Sequence, residues 1–218
     1  MRVAIVDCGR GNLFSVSSAC RFVGLEVSVT SDPKEIMGSA GVILPGVGAF
    51  GDAMAALKRR DLLSVLRDVV LVGKPFMGIC LGFQILFSES NEFGTHPGLG
   101  VFPGDVVRLE NNDGDQRLKI PHVGWYPIWP GSEGQWNGTL LEGMPTGESF
   151  YFVHSFHVRP GIGLPSLALS RFSNTDYCAA VQQGEVFGCQ FHPERSGPAG
   201  LKIYKAFANR VGKETEHV

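Results

Sequence analysis

Nowhere in this chain do two cysteines take a C-x-x-C spacing, and the total of five, Cys8, Cys20, Cys80, Cys178 and Cys189, is odd. That argues against a zinc site and against a disulfide framework, and it fits a reducing, cytoplasmic setting. Basic runs are also missing. The 19 Lys and Arg against 21 Asp and Glu leave a net charge of −2, with no aromatic-interleaved basic patch. Nucleic acid and anionic membrane are therefore not expected partners, whereas small-molecule substrates are. The opening, Met1-Arg2-Val3-Ala4-Ile5-Val6-Asp7, is too short for a signal h-region, and no apolar segment reaches membrane-spanning length. No metal ion and no cofactor is expected.

What is present is enough chain, 218 residues, for one α/β domain, expected over residues 1–211 with a C-terminal tail over 212–218. Val3 to Val6 form a short apolar run closed by Asp7, as in a buried parallel strand. Val16, Ala19, Cys20 and Val23 recur at helical spacing and Gly24 stops them. A strand over 26–30, a short helix from Asp32-Pro33 to about Met37 and a buried strand over 41–44 complete a βαβαβ order, hence parallel pairing. Asp52 is expected to cap a helix through Arg59, and Leu62, Val65, Leu66 and Val69 mark another, ended by Gly73. Beyond residue 97 the strands are short: 106–109, 126–129, 150–153, 167–171, 178–182 and 186–190. Asn111-Asn112-Asp113-Gly114 reads as a hairpin turn, 131–138 as a solvated loop, and 198–211 as a closing helix.

Gly78-Ile79-Cys80-Leu81-Gly82-Phe83-Gln84 follows an apolar strand and precedes Ile85-Leu86-Phe87. Two glycines flank the cysteine as they flank the serine of a strand–turn–helix nucleophile elbow, which lifts the nucleophile out of the sheet to the amino end of a helix, where negative charge is favoured. The competing reading of Cys80 is a small buried hydrophobe. Phe191-His192-Pro193-Glu194 lies just past a strand end, with an imidazole and a carboxylate two residues apart. That pair suits a base and its orienter serving a sulfur nucleophile.

The conjunction of the Cys80 elbow with Phe191-His192-Pro193-Glu194 resembles the class I, triad-type glutamine amidotransferases. Asp7-x-Gly9-x-Gly11-Asn12, Leu44-Pro45-Gly46-Val47-Gly48-Ala49-Phe50, Pro121-His122-Val123-Gly124-Trp125, Phe152-Val153-His154-Ser155 and Ser196-Gly197 are similar to one branch, the glutaminase subunits of imidazole glycerol phosphate synthase. The likeness runs from about Arg2 to Val211. It implies a flavodoxin-like α/β fold, a mixed, mostly parallel central sheet flanked by helices, with an antiparallel hairpin extension.

It further implies hydrolysis of glutamine to glutamate and ammonia by Cys80, His192 and Glu194, with an oxyanion hole from the backbone of Leu81, Val47 and Gly48. Gln84, Glu92, Ser155 and Phe156 would meet the substrate's α-amino and α-carboxylate groups. Ammonia would pass to a synthase/cyclase subunit, a (β/α)₈ barrel partner forming a heterodimer, with Asn12, Pro121, His122 and Trp125 on the docking side. Ligand binding in that barrel would stimulate a low basal turnover.

Two departures fall on the docking side: Cys8 replaces the aromatic of an Asp-Tyr-Gly motif, and Tyr126 stands where asparagine is usual. Residues 86–94 are also similar to paralogues that accompany surface-sugar amidation enzymes. A non-catalytic module of the same fold and a free-standing γ-glutamyl hydrolase are the remaining alternatives. The intact Cys80, His192 and Glu194 weigh against the module.

Overall fold

The computed structural model describes residues 2–9, 11–110, 112–113, 116–117, 119–132 and 135–213, without the side chains of 112, 113, 116, 117 and 213. The first part alternates strand and helix: β1 (Arg2–Val6), α1 (Leu13–Phe22), β2 (Glu26–Thr30), α2 (Pro33–Gly38), β3 (Gly41–Gly46), α3 (Phe50–Arg59), α4 (Leu62–Leu71), β4 (Phe76–Cys80) and α5 (Leu81–Ile85). Short strands follow: β5 (Phe87–Ser90), β6 (His96–Pro97), β7 (Phe102–Arg108), β8 (Asn112–Asp113), β9 (Gln116–Arg117), β10 (His122–Pro127) and β11 (Trp129–Pro130). The chain returns through β12 (Ser149–His154), β13 (Phe156–Pro160), β14 (Ala168–Phe172), β15 (Thr175–Gln183) and β16 (Val186–Cys189). A single 3₁₀ turn, Pro193–Arg195, and α6 (Gly197–Lys213) complete it.

Five strands in the order β2-β1-β3-β4-β16 pair in parallel, the 2-1-3-4-5 order of flavodoxin-like sheets. On the far side of β16 the same sheet continues antiparallel through β15, β13 and β7, while β10 and β12 form a separate antiparallel pair. Period-two alternation divides the core. Val3 and Ile5 face Val16, Cys20, Ile203 and Phe207 of α1 and α6, whereas Ala4 and Val6 face Ile36, Leu57 and Leu66 of α2, α3 and α4. Each such Val or Ile, fully withdrawn from water, stabilises by about 1.5–3 kcal/mol relative to exposure. Helices therefore cover both faces of the parallel part, as its apolar strands require.

Asp32 caps α2 as expected, accepting the Lys34 N–H at 2.7 Å with Pro33 at the first helical position. Asp52 does not cap α3. The helix begins at Phe50 after Ala49, and the N–H of Phe50 is met by Glu92 Oε2 at 2.6 Å from a loop 42 residues away. The apolar run Ile85-Leu86-Phe87 does not prolong the elbow helix: α5 ends at Ile85 and Phe87 opens β5, because Phe87 pairs with Phe102 of β7. In the loop over 131–138 Gly131, Ser132, Asn137 and Gly138 are exposed as expected, while Trp136 is buried, its Nε1–H donating to Leu167 O at 2.8 Å; residues 133–134 lie outside the described residues. Where a hairpin turn is expected at 111–114, Asn112 and Asp113 instead form strand β8, paired antiparallel with β9, and 111, 114 and 115 lie outside the described residues. Likewise the tail over 212–218 begins inside α6, and 214–218 are not described.

Candidate active site

Cys80 closes β4 and stands immediately before α5 with φ 55 and ψ −108, a combination that side chains with a Cβ rarely adopt. Strain of this kind costs about 1–3 kcal/mol and persists only where the surroundings impose it. They do so through glycine. A Cβ on Gly82 would fall 1.8 Å from the carbonyl oxygen of Leu44, and one on Gly188 2.1 Å from the Phe83 ring. The glycines let α5 lie directly on β3 and β16, and the turn angle is carried by Cys80 itself.

The sulfur has three neighbours from distant parts of the chain. Val153 O lies 3.9 Å away and Gln190 Nε2 3.6 Å away. The third is His192, which follows β16, the parallel neighbour of β4. Nδ1 of His192 is 2.8 Å from Glu194 Oε1, with the two side chains 5% and 1% exposed. The carboxylate accepts only, so Nδ1 carries the proton and Nε2 is the nitrogen left for the sulfur. Nε2 makes no close hydrogen bond, the long geometry common before a substrate is bound. Burial alone would lower the basicity of this imidazole. The nearby Cys80 sulfur, with the charge and hydrogen bond of Glu194, outweighs it and pushes the ring up to about 10.

The segment holding the ring is itself clamped. Ser196 Oγ donates to His192 O at 2.7 Å and accepts the Tyr151 N–H at 3.0 Å, and the His192 N–H reaches Tyr151 O at 2.9 Å. On the other side of the 3₁₀ turn, Gly200 of α6 sits so close that a Cβ would fall 1.8 Å from Pro193 O.

A cleft of about 260 Å³ opens over Cys80. Leu81, Val47 and Gly48 form its wall on the elbow side, and Gln84, Glu92, Ser155 and Phe156 line it elsewhere, so all the residues expected at the oxyanion and substrate positions border one space. Phe156 lies on this wall with part of its backbone engaged. Its carbonyl already accepts Gln84 Nε2 at 2.9 Å and His154 Nδ1 at 2.9 Å, which uses both lone pairs.

His154, also on the cleft wall, is held neutral by burial at about 3, and Tyr177 O–H donates to its Nε2 at 3.3 Å. Of the residues assigned to the docking side, Trp125 is 56% exposed and edge-on to Tyr151, and Pro121 lines the cleft. Asn12 stands half-buried at the start of α1. His122 is the exception: its ring is 3% exposed, stacked on Tyr126 at 3.8 Å, so it packs inward and presents no side chain to a partner. Gln190 and Ser196 have no place among the residues picked from sequence as functional. A wholly polar amide inside the apolar run from Val186 to Phe191 is the signal that marks Gln190.

Among the described residues no cluster of His, Cys, Asp or Glu could hold a metal ion, and no helix is long and apolar enough to cross a membrane.

A doubly wound sheet with a strained cysteine at the carboxyl end of its central strand and a buried His–Glu pair beside it defines a class, and the family model for class-I glutamine amidotransferases matches residues 4–211. The chain belongs to that family and is a glutamine amidotransferase. Within it, the chain is similar to the imidazole glycerol phosphate synthase subunit HisH of Rhodopirellula baltica, 45% identical over 207 residues, 94% of this chain and 96% of that protein. The HisH subunit of Aquifex aeolicus is 42% identical over 217 residues, 99% of this chain and 100% of the relative. In three dimensions PurLQS from Thermotoga maritima superposes with a TM-score of 0.71 at 23% identity, covering 95% of this chain and 97% of that one, a likeness of fold.

Proposed function

We propose that this chain is the glutaminase subunit of an imidazole glycerol phosphate synthase, hydrolysing L-glutamine to glutamate and ammonia for use by a (β/α)₈ cyclase subunit in histidine biosynthesis. The observation that carries the reading is the convergence of Cys80, His192 and Glu194 beside a cleft sized for an amino acid; the names of relatives alike over nearly the full chain point to the acceptor. Cys20, Cys80, Cys178 and Cys189, none of them in a disulfide, suit a reducing cytoplasm.

In the proposed reaction the Cys80 sulfur, its proton held by His192 Nε2, attacks the γ-carboxamide carbon. Backbone N–H groups of Leu81 and of the Val47-Gly48 segment stabilise the negative oxygen. His192 returns its proton to the departing nitrogen, so that ammonia leaves and a glutamyl thioester remains. Water, deprotonated by the same ring, then cleaves the thioester, releasing glutamate and restoring the thiol. Glu194 fixes the tautomer of the ring and offsets the charge of the imidazolium. Gln84 and Glu92 would hold the α-amino group, with Ser155 and the Phe156 backbone at the α-carboxylate.

Ammonia that escapes into neutral water is protonated and loses its nucleophilicity, so the reaction is useful only beside an acceptor. The exposed indole of Trp125 and the Arg195 guanidinium, 4.3 Å from the Tyr151 ring centroid, support a docking face near the triad. The test is glutamate release measured with and without the cyclase subunit of the same organism. Stimulation by that subunit, with Cys80→Ser inactive, supports the reading. Activity indifferent to the cyclase, or stimulated instead by a sugar-amidating enzyme, would sink it.

A further inference from the structure

Gln84, Gln190 and Cys80 form a buried chain of hydrogen bonds whose direction can be derived. The carbonyl of Phe156 accepts only, so Gln84 must turn its NH₂ group towards it, at 2.9 Å. The same Nε2 lies 2.9 Å from Oε1 of Gln190, which takes its second hydrogen. Were Gln190 flipped, two NH₂ groups would oppose each other. Its oxygen is therefore committed to Gln84, and its Nε2, 3.6 Å from the sulfur, can only donate. Gln190 is 0% exposed, so water does not compete for that N–H.

Around the sulfur the alternatives are few. The Val153 carbonyl, 3.9 Å away, could take an S–H but is an acceptor, useless to a sulfur that has lost its proton. The titratable groups facing Cys80 are His192 with Glu194 behind it, Cys189 of β16, His154 of β12 and Glu92 across the cleft. Of these, His192 takes the proton, His154 is neutral, Cys189 donates its S–H to Phe191 O at 3.4 Å, and Glu92 is an acceptor.

We propose that Gln190 is a positioning residue for the glutaminase reaction: its amide, oriented by Gln84 and through it by the Phe156 carbonyl, donates an N–H to the deprotonated sulfur of Cys80 and holds it in line for attack. The proposal rests on the glutaminase reading. A charge-assisted N–H···S contact of this kind is stronger than its neutral counterpart, so it favours the attacking form over the resting one. Because Gln84 lines the cleft, filling the cleft and placing the donor are joined through one amide.

The full-length Gln190→Met variant keeps the length and removes the donor. Alkylation of Cys80 by iodoacetamide, followed by mass spectrometry across pH, and glutaminase kinetics with the cyclase subunit present are the readouts. The expected result is a half-maximal alkylation pH raised by about one unit and a kcat lowered about tenfold or more, as for a lost hydrogen bond to a charged group, with KM changed less than about threefold. Gln190→Glu, of the same shape but with an acceptor at the sulfur, loses more. It also serves as the comparison should the Met variant fail to fold.

Either folded variant matching the parent in both readouts overturns the proposal. So does a fall in kcat with the alkylation profile unmoved, the mark of a merely structural role. A parent chain whose Cys80 is alkylated normally but which hydrolyses no glutamine refutes the function instead, and the alkylation comparison still judges Gln190.

Discussion

Glu194 holds His192 through a hydrogen bond of 2.8 Å between Oε1 and Nδ1, in a pocket where neither side chain meets solvent. The pair has a consequence for stability as well as chemistry. Against the lowering effect of burial, the Cys80 sulfur first and Glu194 next push the ring up to about 10, compared with an unfolded value near 6.5, so the folded ring keeps a proton that the unfolded ring gives up. That contribution is complete below pH ~6.5 and is lost as pH rises towards ~10. Urea unfolding from pH 7 to 10 should therefore show falling stability. In Glu194→Gln, which keeps the shape and removes the charge, the fall should be shallower and kcat about 10- to 100-fold lower. An unchanged slope in the variant would refute the coupling.

The backbone of Cys80 gives a prediction of opposite sign for activity and stability. Glycine tolerates φ 55 without penalty, whereas Cys80 holds it under strain. Cys80→Gly should therefore abolish glutamine hydrolysis and yet raise stability by about 1 kcal/mol, a Tm gain of roughly 2–4 °C for a chain of this size, read by thermal denaturation. A lower Tm would show that the elbow is not strained.

Ser196 joins the His192 carbonyl to the Tyr151 N–H with a single hydroxyl. Ser196→Ala leaves the Tyr151 N–H without that acceptor, at a cost of about 1–3 kcal/mol, and frees the segment that carries the imidazole. Equilibrium denaturation should show the loss, and kcat should drop about tenfold while KM holds. A stability loss with kcat intact would confine Ser196 to packing.

At the acid end, together with His122 and His157, whose rings burial likewise makes less basic, His154 contributes with the opposite sign. Burial holds it neutral to about 3, while its unfolded counterpart takes up a proton near 6.5, so stability is full above pH ~6.5 and declines as pH falls, by about 1.4 kcal/mol per pH unit. His154→Gln preserves a donor for the Phe156 carbonyl and an acceptor for Tyr177 and does not titrate. Its unfolding free energy between pH 7 and 4 should be flatter than the parent's by that slope, and an identical acid limb would count against a neutral His154.

Local chemistry, read along the chain, determined much of this protein: the capped start of α2, the buried β1, the helical stripe of α4, the turn at Cys80 and the His192–Glu194 pair, each from residues a few positions apart. Tertiary structure alone decided the rest. Glu92 capping α3, Phe87 joining β5 in place of a longer helix, the inward turn of His122 and the directed chain through Gln84 and Gln190 are all contacts between segments far apart in sequence. The reason is physical. Propensity and periodicity are properties of neighbours, whereas the partner of a buried polar group is whichever donor or acceptor the packed sheet brings within about 3 Å, and no pattern along the chain encodes that distance.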